Sequence, residues 1–207
     1  MPKSAANVTA VKKKVEKSEE VKVPVKEVVI PEGVEVTYSD NVLTVKGPLG
    51  ELKREFFHPY ATLEVKDSKI IIKGKNQRRK TKAIVGTWTS HVKNMIYGVL
   101  NGYEAKLKIV YVHFPMNVKV EGDYVVITNF MGGKGIRKAK ILEGVEVKIN
   151  KDEITVEGID IEKVGQTAAN IEQSCRDNGG RDRRIFFDGI YITQKPKRSD
   201  EIWQNQS

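Results

Sequence analysis

Apolar and polar positions follow two rhythms, and the change between them lays out the chain. Val34, Val36 and Tyr38 alternate with Glu35 and Thr37, and Val42 to Val45 return after Asn41. A period of two broken by a turn residue predicts an antiparallel hairpin. Gly47-Pro48-Leu49-Gly50 predicts a turn, and Leu52, Arg54 and Phe56 a further strand. Leu63 and Val65, then Ile70 to Ile72, predict a second hairpin around Lys66-Asp67-Ser68-Lys69 that closes at Gly74. From Lys75 to Leu100 the spacing becomes three and four: Ile84, Trp88, Val92, Met95, Ile96, Val99 and Leu100 share one face. That face predicts an amphipathic helix, with Trp88 in its core and Asn101-Gly102 as its stop.

The same order then returns. Phe114-Pro115 mirrors Ile30-Pro31, Val145-Glu146-Val147-Lys148 mirrors Leu63-Glu64-Val65-Lys66, and Gly158 mirrors Gly74 (158 − 74 = 84). A second helix is expected from about Ile161 to Gly179-Gly180, with Val164, Ala168, Ile171 and Cys175 on its apolar face. A repeat this long suits a duplicated domain rather than a solenoid unit. The predicted class is α+β: two tandem duplicated domains, each a small antiparallel sheet packed against one helix. Residues 21–110 form the first and 111–198 the second, with Tyr103 to Val112 as a strand-like, stiff link. Residues 1–20 have few large apolar side chains and many charges, so a disordered arm is expected, and 199–207 a flexible tail.

Charge narrows the function. The chain has 207 residues and a net charge of +9, with a pI near 9.4. That balance points to an anionic partner, nucleic acid or membrane surface. No stretch approaches the roughly 20 apolar residues of a membrane helix. The basic residues of the first helix gather at one end rather than along a face, which disfavours membrane binding. Cys175 is the single cysteine, so no internal disulfide forms, as suits a reducing cytoplasm.

Three basic stretches are candidate contacts. The first is Arg181 to Arg198, RDRRIFFDGIYITQKPKR, where Arg181, Arg183 and Arg184 precede Phe186 and Phe187, and Lys195, Lys197 and Arg198 close the run. Guanidinium forks beside aromatics suit phosphates and unstacked bases; the plainer reading is a solvated hairpin. Second is Phe130 to Lys140, where Gly132, Gly133 and Gly135 lie among Lys134, Arg137, Lys138 and Lys140. Glycines let backbone N–H groups approach an anion, although the P-loop spacing is missing. The third is Arg78 and Arg79 at the start of the first helix, where cations oppose the helix dipole and invite a phosphate. Catalysis has little support. His58, His91 and His113 are scattered, Cys175 reads as core, Asp188-Gly189 as a turn, and no Cys or His pair has metal spacing. No cofactor is expected.

Arg183-Arg184-x-Phe186-x-Asp188-Gly189-Ile190-Tyr191-Ile192 resembles the C-terminal signature of the large-subunit ribosomal protein six family, in its archaeal and eukaryotic branch. The bacterial branch has a Tyr-Lys-Gly-Lys-Gly type motif there, which this chain lacks. Ile30-Pro31-Glu32-Gly33-Val34 and Val42-Leu43-Thr44-Val45-Lys46-Gly47-Pro48-Leu49-Gly50 add to the likeness, which runs from about Val21 to Lys195. The resemblance implies a non-enzymatic, cytoplasmic constituent of the large ribosomal subunit, among other large-subunit proteins. It implies two similar domains, of which the second makes most rRNA contacts, near the sarcin–ricin loop and the stalk base where translational GTPases dock. The alternatives are a free RNA-binding protein or an enzyme on an anionic substrate.

Overall fold

A computed structural model describes residues 23–66, 68–176 and 185–197. The expected arm and tail, and Arg181, Arg183, Arg184 and Arg198, lie outside the described residues.

The first repeat runs through β1 (Val25–Val29), β2 (Glu35–Ser39), β3 (Val42–Gly47), β4 (Gly50–Glu55), β5 (Ala61–Lys66), β6 (Lys69–Gly74) and helix α1 (Arg79–Asn101). The predicted hairpins form where the alternation placed them. Asp40 and Asn41 turn the first with φ of 50° and 63°, the left-handed pair that matches strand twist in a tight hairpin. Two three-stranded antiparallel sheets result, in orders β1-β6-β5 and β2-β3-β4. One sheet per repeat was expected; the irregular stretch Phe56–Tyr60, which contains Pro59, separates the ladders, since proline cannot donate to one. Leu43, Val45, Ile70 and Ile72 from the sheets meet Val85, Val92, Ile96 and Val99 of α1 in one core.

Helix α1 starts later than its charge pattern suggests. Arg78 is extended (φ −62°, ψ 146°), and the Asn76 side-chain oxygen accepts from the Arg78 N–H and the Thr81 hydroxyl. Val92, Met95, Ile96 and Val99 are buried as expected, and the buried face departs from the expected one only towards the helix start. Thr81, Val85 and Thr89 are buried, whereas Ile84 and Trp88 are half-buried. Trp88 is therefore a rim residue, edge-on to Phe56 with ring centroids 5.4 Å apart. Apolar spacing alone passed over Thr89, whose hydroxyl donates to the Val85 carbonyl at 2.6 Å and so can be buried.

The second repeat runs through β7 (Tyr103–Val110), β8 (Asn117–Glu121), β9 (Tyr124–Thr128), β10 (Arg137–Lys140), β11 (Val145–Asn150), β12 (Glu153–Gly158), helix α2 (Ile161–Ser174) and β13 (Gly189–Lys197). Its sheets have orders β10-β9-β8 and β11-β12-β7-β13. The duplication extends to register, although Leu63 corresponds to Val147 and not, as expected, to Val145 (147 − 63 = 84 against 145 − 63 = 82). Ala61 faces Gly74 in β5–β6 and Val145 faces Gly158 in β11–β12, each 84 positions on (145 − 61 and 158 − 74). The segment expected as a link is a central strand. β7 pairs with both β12 and β13, and Tyr103, Ala105, Leu107 and Ile109 point into the second core. Residues 103–110, expected with the first half, thus pack with the second.

The repeats meet at the end of α1. Tyr97 joins the second core and lies 5.2 Å from the Tyr103 ring. An Arg54 guanidinium nitrogen reaches Glu162 Oε1 at 2.6 Å, and His91 Nδ1 lies 3.4 Å from the same oxygen. Burial and the Arg54 charge hold His91 below the ordinary imidazole range, while Glu162 pulls the other way. His91 is thus part of the junction. A junction cavity of about 1080 Å³ is lined by Glu104, Glu146, Glu157 and Lys197, among others.

Candidate nucleic-acid interface

Helix α2 forms the spine of the site, lying between β10 and β13. Ile192 N–H donates to Glu172 at 3.1 Å on one side, and Asn170 donates to the Lys140 carbonyl at 3.1 Å on the other. Both strands have their earlier residues at the C-terminal end of the helix. There an Arg137 guanidinium nitrogen donates to the Ser174 carbonyl at 2.8 Å and the Arg176 carbonyl at 3.1 Å. The Ser174 carbonyl is one that a helix end leaves without a partner, and Arg176 lies just past that end. The same guanidinium lies 4.2 Å from the centroid of the Phe130 ring, a cation–π contact. Arg137, expected to touch RNA, thus also closes α2 and ties the loop before it to the helix end.

That loop differs from its counterpart in the first repeat. There Pro48-Leu49 makes a two-residue turn, and the Leu49 N–H donates to the Val99 carbonyl, which docks it on α1. Here the chain leaves β9, passes through positive φ at Asn129, Met131 and Gly132, and re-enters at β10. Lys134, Lys138 and Lys140 are exposed along it, the last two flanking the buried Ala139. None makes an ion pair with any described residue. By contrast Lys46, Lys53, Lys69, Lys73, Lys106 and Lys148 each have a carboxylate within 4 Å. Lys134, Lys138 and Lys140 thus carry charge that no described carboxylate neutralises, as Lys26, Lys119 and Lys151 do elsewhere on the surface.

The remaining expected contacts do not join this group. Lys195 and Lys197 are exposed on the far end of β13, where Pro196 approaches Gly165. That is about 14 Å along α2 from Ser174, at 1.5 Å per residue. Lys197 stands opposite Glu104 in the ladder and faces the acidic junction cavity, a poor place for a phosphate. Arg78 and Arg79 are exposed on the first repeat. They begin a helix with no acidic residue in its first turn, which leaves the N-terminal positive pole and its cations uncompensated.

Asp188 has a larger role than its sequence context suggests. It looks like a turn residue, yet its side chain is fully buried. Its carboxylate accepts from the Val112 N–H at 3.2 Å, the His113 N–H at 3.1 Å and His113 Nδ1 at 3.2 Å. Burial pushes its pKa up, but the hydrogen bonds from the His113 ring and the backbone of His113, Val112 and Phe114 outweigh this and hold it below the usual carboxylate range. An Asp-Gly pair beside a strand signals a turn, and nothing local in sequence shows that the partners lie some 75 residues upstream. Cys175 is buried as expected; burial pushes its thiol up, so it stays protonated and unreactive.

The family described as ribosomal protein L6 matches residues 30–102 and 114–177, one match in each repeat. Together these segments span more than half the chain. The chain belongs to the ribosomal protein L6 family. Large ribosomal subunit protein uL6 of Methanosarcina mazei is 52% identical over 166 residues, covering 80% of this chain and 94% of that protein. The uL6 proteins of Methanocella arvoryzae and Methanobrevibacter smithii are 48% and 46% identical, over 83% and 82% of this chain and 97% and 94% of theirs. In this L6 protein the matched segments hold β2 to α1 and β8 to α2, so the duplicated unit is the family's unit. An L6 protein is a structural ribosomal component and not an enzyme.

Proposed function

We propose that this protein is a structural constituent of the large ribosomal subunit in the cytoplasm, where its second repeat binds large-subunit rRNA and supports subunit assembly and translation. The observation that carries the reading is the run of exposed lysines Lys134, Lys138 and Lys140 along β10 and the loop before it, paired with no described carboxylate and fixed against α2 by Arg137 and Asn170. Folded RNA is bound mostly through phosphates and shape, and a rigid row of lysines on a strand supplies both charge and spacing. Arg181, Arg183, Arg184 and Arg198 extend the contact by sequence. Arg78 and Arg79 form a second patch on the first repeat, and the tied junction sets the distance between the two. Lys195 and Lys197 lie at the margin. The family resemblance supports a position near the sarcin–ricin loop and stalk base, among other large-subunit proteins and close to the docking site of translational GTPases. Among the described residues no helix is long and apolar enough to cross a membrane.

Changing Lys134, Lys138 and Lys140 together to glutamine tests the site. Binding to large-subunit rRNA, followed across a salt series, should weaken. The log–log salt slope should flatten by somewhat under one unit for each phosphate that the variant no longer neutralises. A folded variant with the wild-type slope would show these lysines to be ordinary surface.

A further inference from the structure

Beside the lysines lies an exposed aromatic shelf that phosphate binding does not use. Tyr111 is 43% exposed, Phe114 46%, Phe187 43% and Tyr191 44%. Phe186 is 38% exposed and leans on the His113 ring, with centroids 5.1 Å apart and planes 35° from parallel. The shelf is held from beneath. Asp188 grips the backbone of Val112 and His113 and fixes the His113 ring. The Tyr191 hydroxyl donates to the Phe187 carbonyl at 2.8 Å. Gly132 leaves room for the Phe114 ring, which a Cβ there would meet at 3.1 Å. Rings this open on a monomer surface mark a contact, and rings this well held lose little freedom on binding.

We propose that this shelf stacks unpaired RNA bases, so that the second repeat grips a single-stranded or looped element beside the phosphates its lysines hold. The proposal rests on the rRNA reading and deepens it. Three features favour bases over an apolar protein surface. The rings are each 38–46% exposed, which leaves ring surface open to stacking while the rest of each ring is held by the fold. Lys134 sits two residues from Gly132, against which Phe114 packs, so a cation flanks the shelf. The carboxylate beneath the shelf spends its oxygens on the Val112 and His113 donors and presents none at the surface.

The test uses the full chain, a single-stranded RNA of about twelve nucleotides and an RNA duplex of the same length. The variants are Phe186→Ala with Phe187→Ala, Phe186→Leu with Phe187→Leu, and the lysine-to-glutamine triple. Both phenylalanine variants should bind the single strand about tenfold or more weakly, with an unchanged salt slope and unchanged duplex binding. Leucine keeps apolar area and removes the ring, so equal losses in the two variants identify stacking. Wild-type affinity in both phenylalanine variants, with a flattened slope in the lysine variant, overturns the shelf and leaves the rRNA reading standing. A loss with alanine but not leucine, or poor incorporation into large subunits with unchanged RNA affinities, makes the shelf an apolar protein contact and overturns stacking. Wild-type protein that binds neither RNA overturns the rRNA reading itself. The shelf phenylalanines are partly exposed, so the variants should keep the wild-type melting curve.

Discussion

Asp188→Ala should destabilise the protein by about 3–5 kcal/mol, the usual cost of deleting one partner from a buried, charged hydrogen-bond cluster. The carboxylate accepts from two backbone N–H groups and a histidine ring nitrogen. Alanine strands those donors beside the second core, and no shift of β7 restores them, because its register is fixed by β12 and β13. Asp188→Asn should cost less, since the amide keeps one acceptor but turns an NH₂ group toward a donor. Urea unfolding measures both, and a destabilisation under about 1 kcal/mol for alanine would show the latch to be dispensable. Acidity gives a second reading. The folded-state pKa of Asp188 is depressed below the ordinary 3.8, so its contribution is complete above about pH 4 and is lost as pH falls through the folded value. Wild-type stability should therefore drop more steeply below about pH 4 than that of Asp188→Asn, which has no proton to gain there.

How much of this was readable from the chain depended on whether the cause was local. The β5–β6 and β11–β12 hairpins follow from alternation plus a turn, and both formed in register 84 positions apart. The face of α2 followed from spacing: Val164, Ala168, Ile171 and Cys175 are all buried. Along α1 the spacing places Val92, Met95, Ile96 and Val99 correctly, but near the start the buried face lies one position on, because buried threonines do not look apolar and Trp88 does. β7 had the alternation of a core strand, yet its place after a helix stop made it look like a link. Basic residues were legible as a set, but not how they sort. Arg137 and Lys138 are neighbours in sequence, and only the fold shows one bound to the end of α2 and the other left exposed. Asp188 was least legible, since a carboxylate's partners are fixed by strand pairing far away in sequence.

Two glycines of α1 should respond to the same substitution with opposite signs. Glycine inside a helix costs roughly 1 kcal/mol relative to alanine. At Gly86 an added Cβ would meet nothing within 4 Å, so Gly86→Ala should stabilise the protein by about that amount. At Gly98 the same Cβ would overlap the carbonyl oxygen of Ile159, and it would also touch the Tyr103 ring at 3.2 Å. The obstacle is backbone, positioned by the cap of α2, where Asp160 accepts from the Glu162 N–H at 2.9 Å. It has no rotamer by which to move aside. Overpacking of this kind costs about 1–3 kcal/mol or more, which outweighs the helical gain, so Gly98→Ala should be net destabilising. The strain falls where the repeats meet, next to the Arg54–Glu162 pair at 2.6 Å. The variant should therefore melt earlier and become open to protease around Gly102, while each repeat keeps its own hairpins. Stabilisation by Gly98→Ala, matching that of Gly86→Ala, would mean that the repeats are not in firm contact. In that case the junction could not set the spacing between the Arg78–Arg79 patch and the lysines of β10.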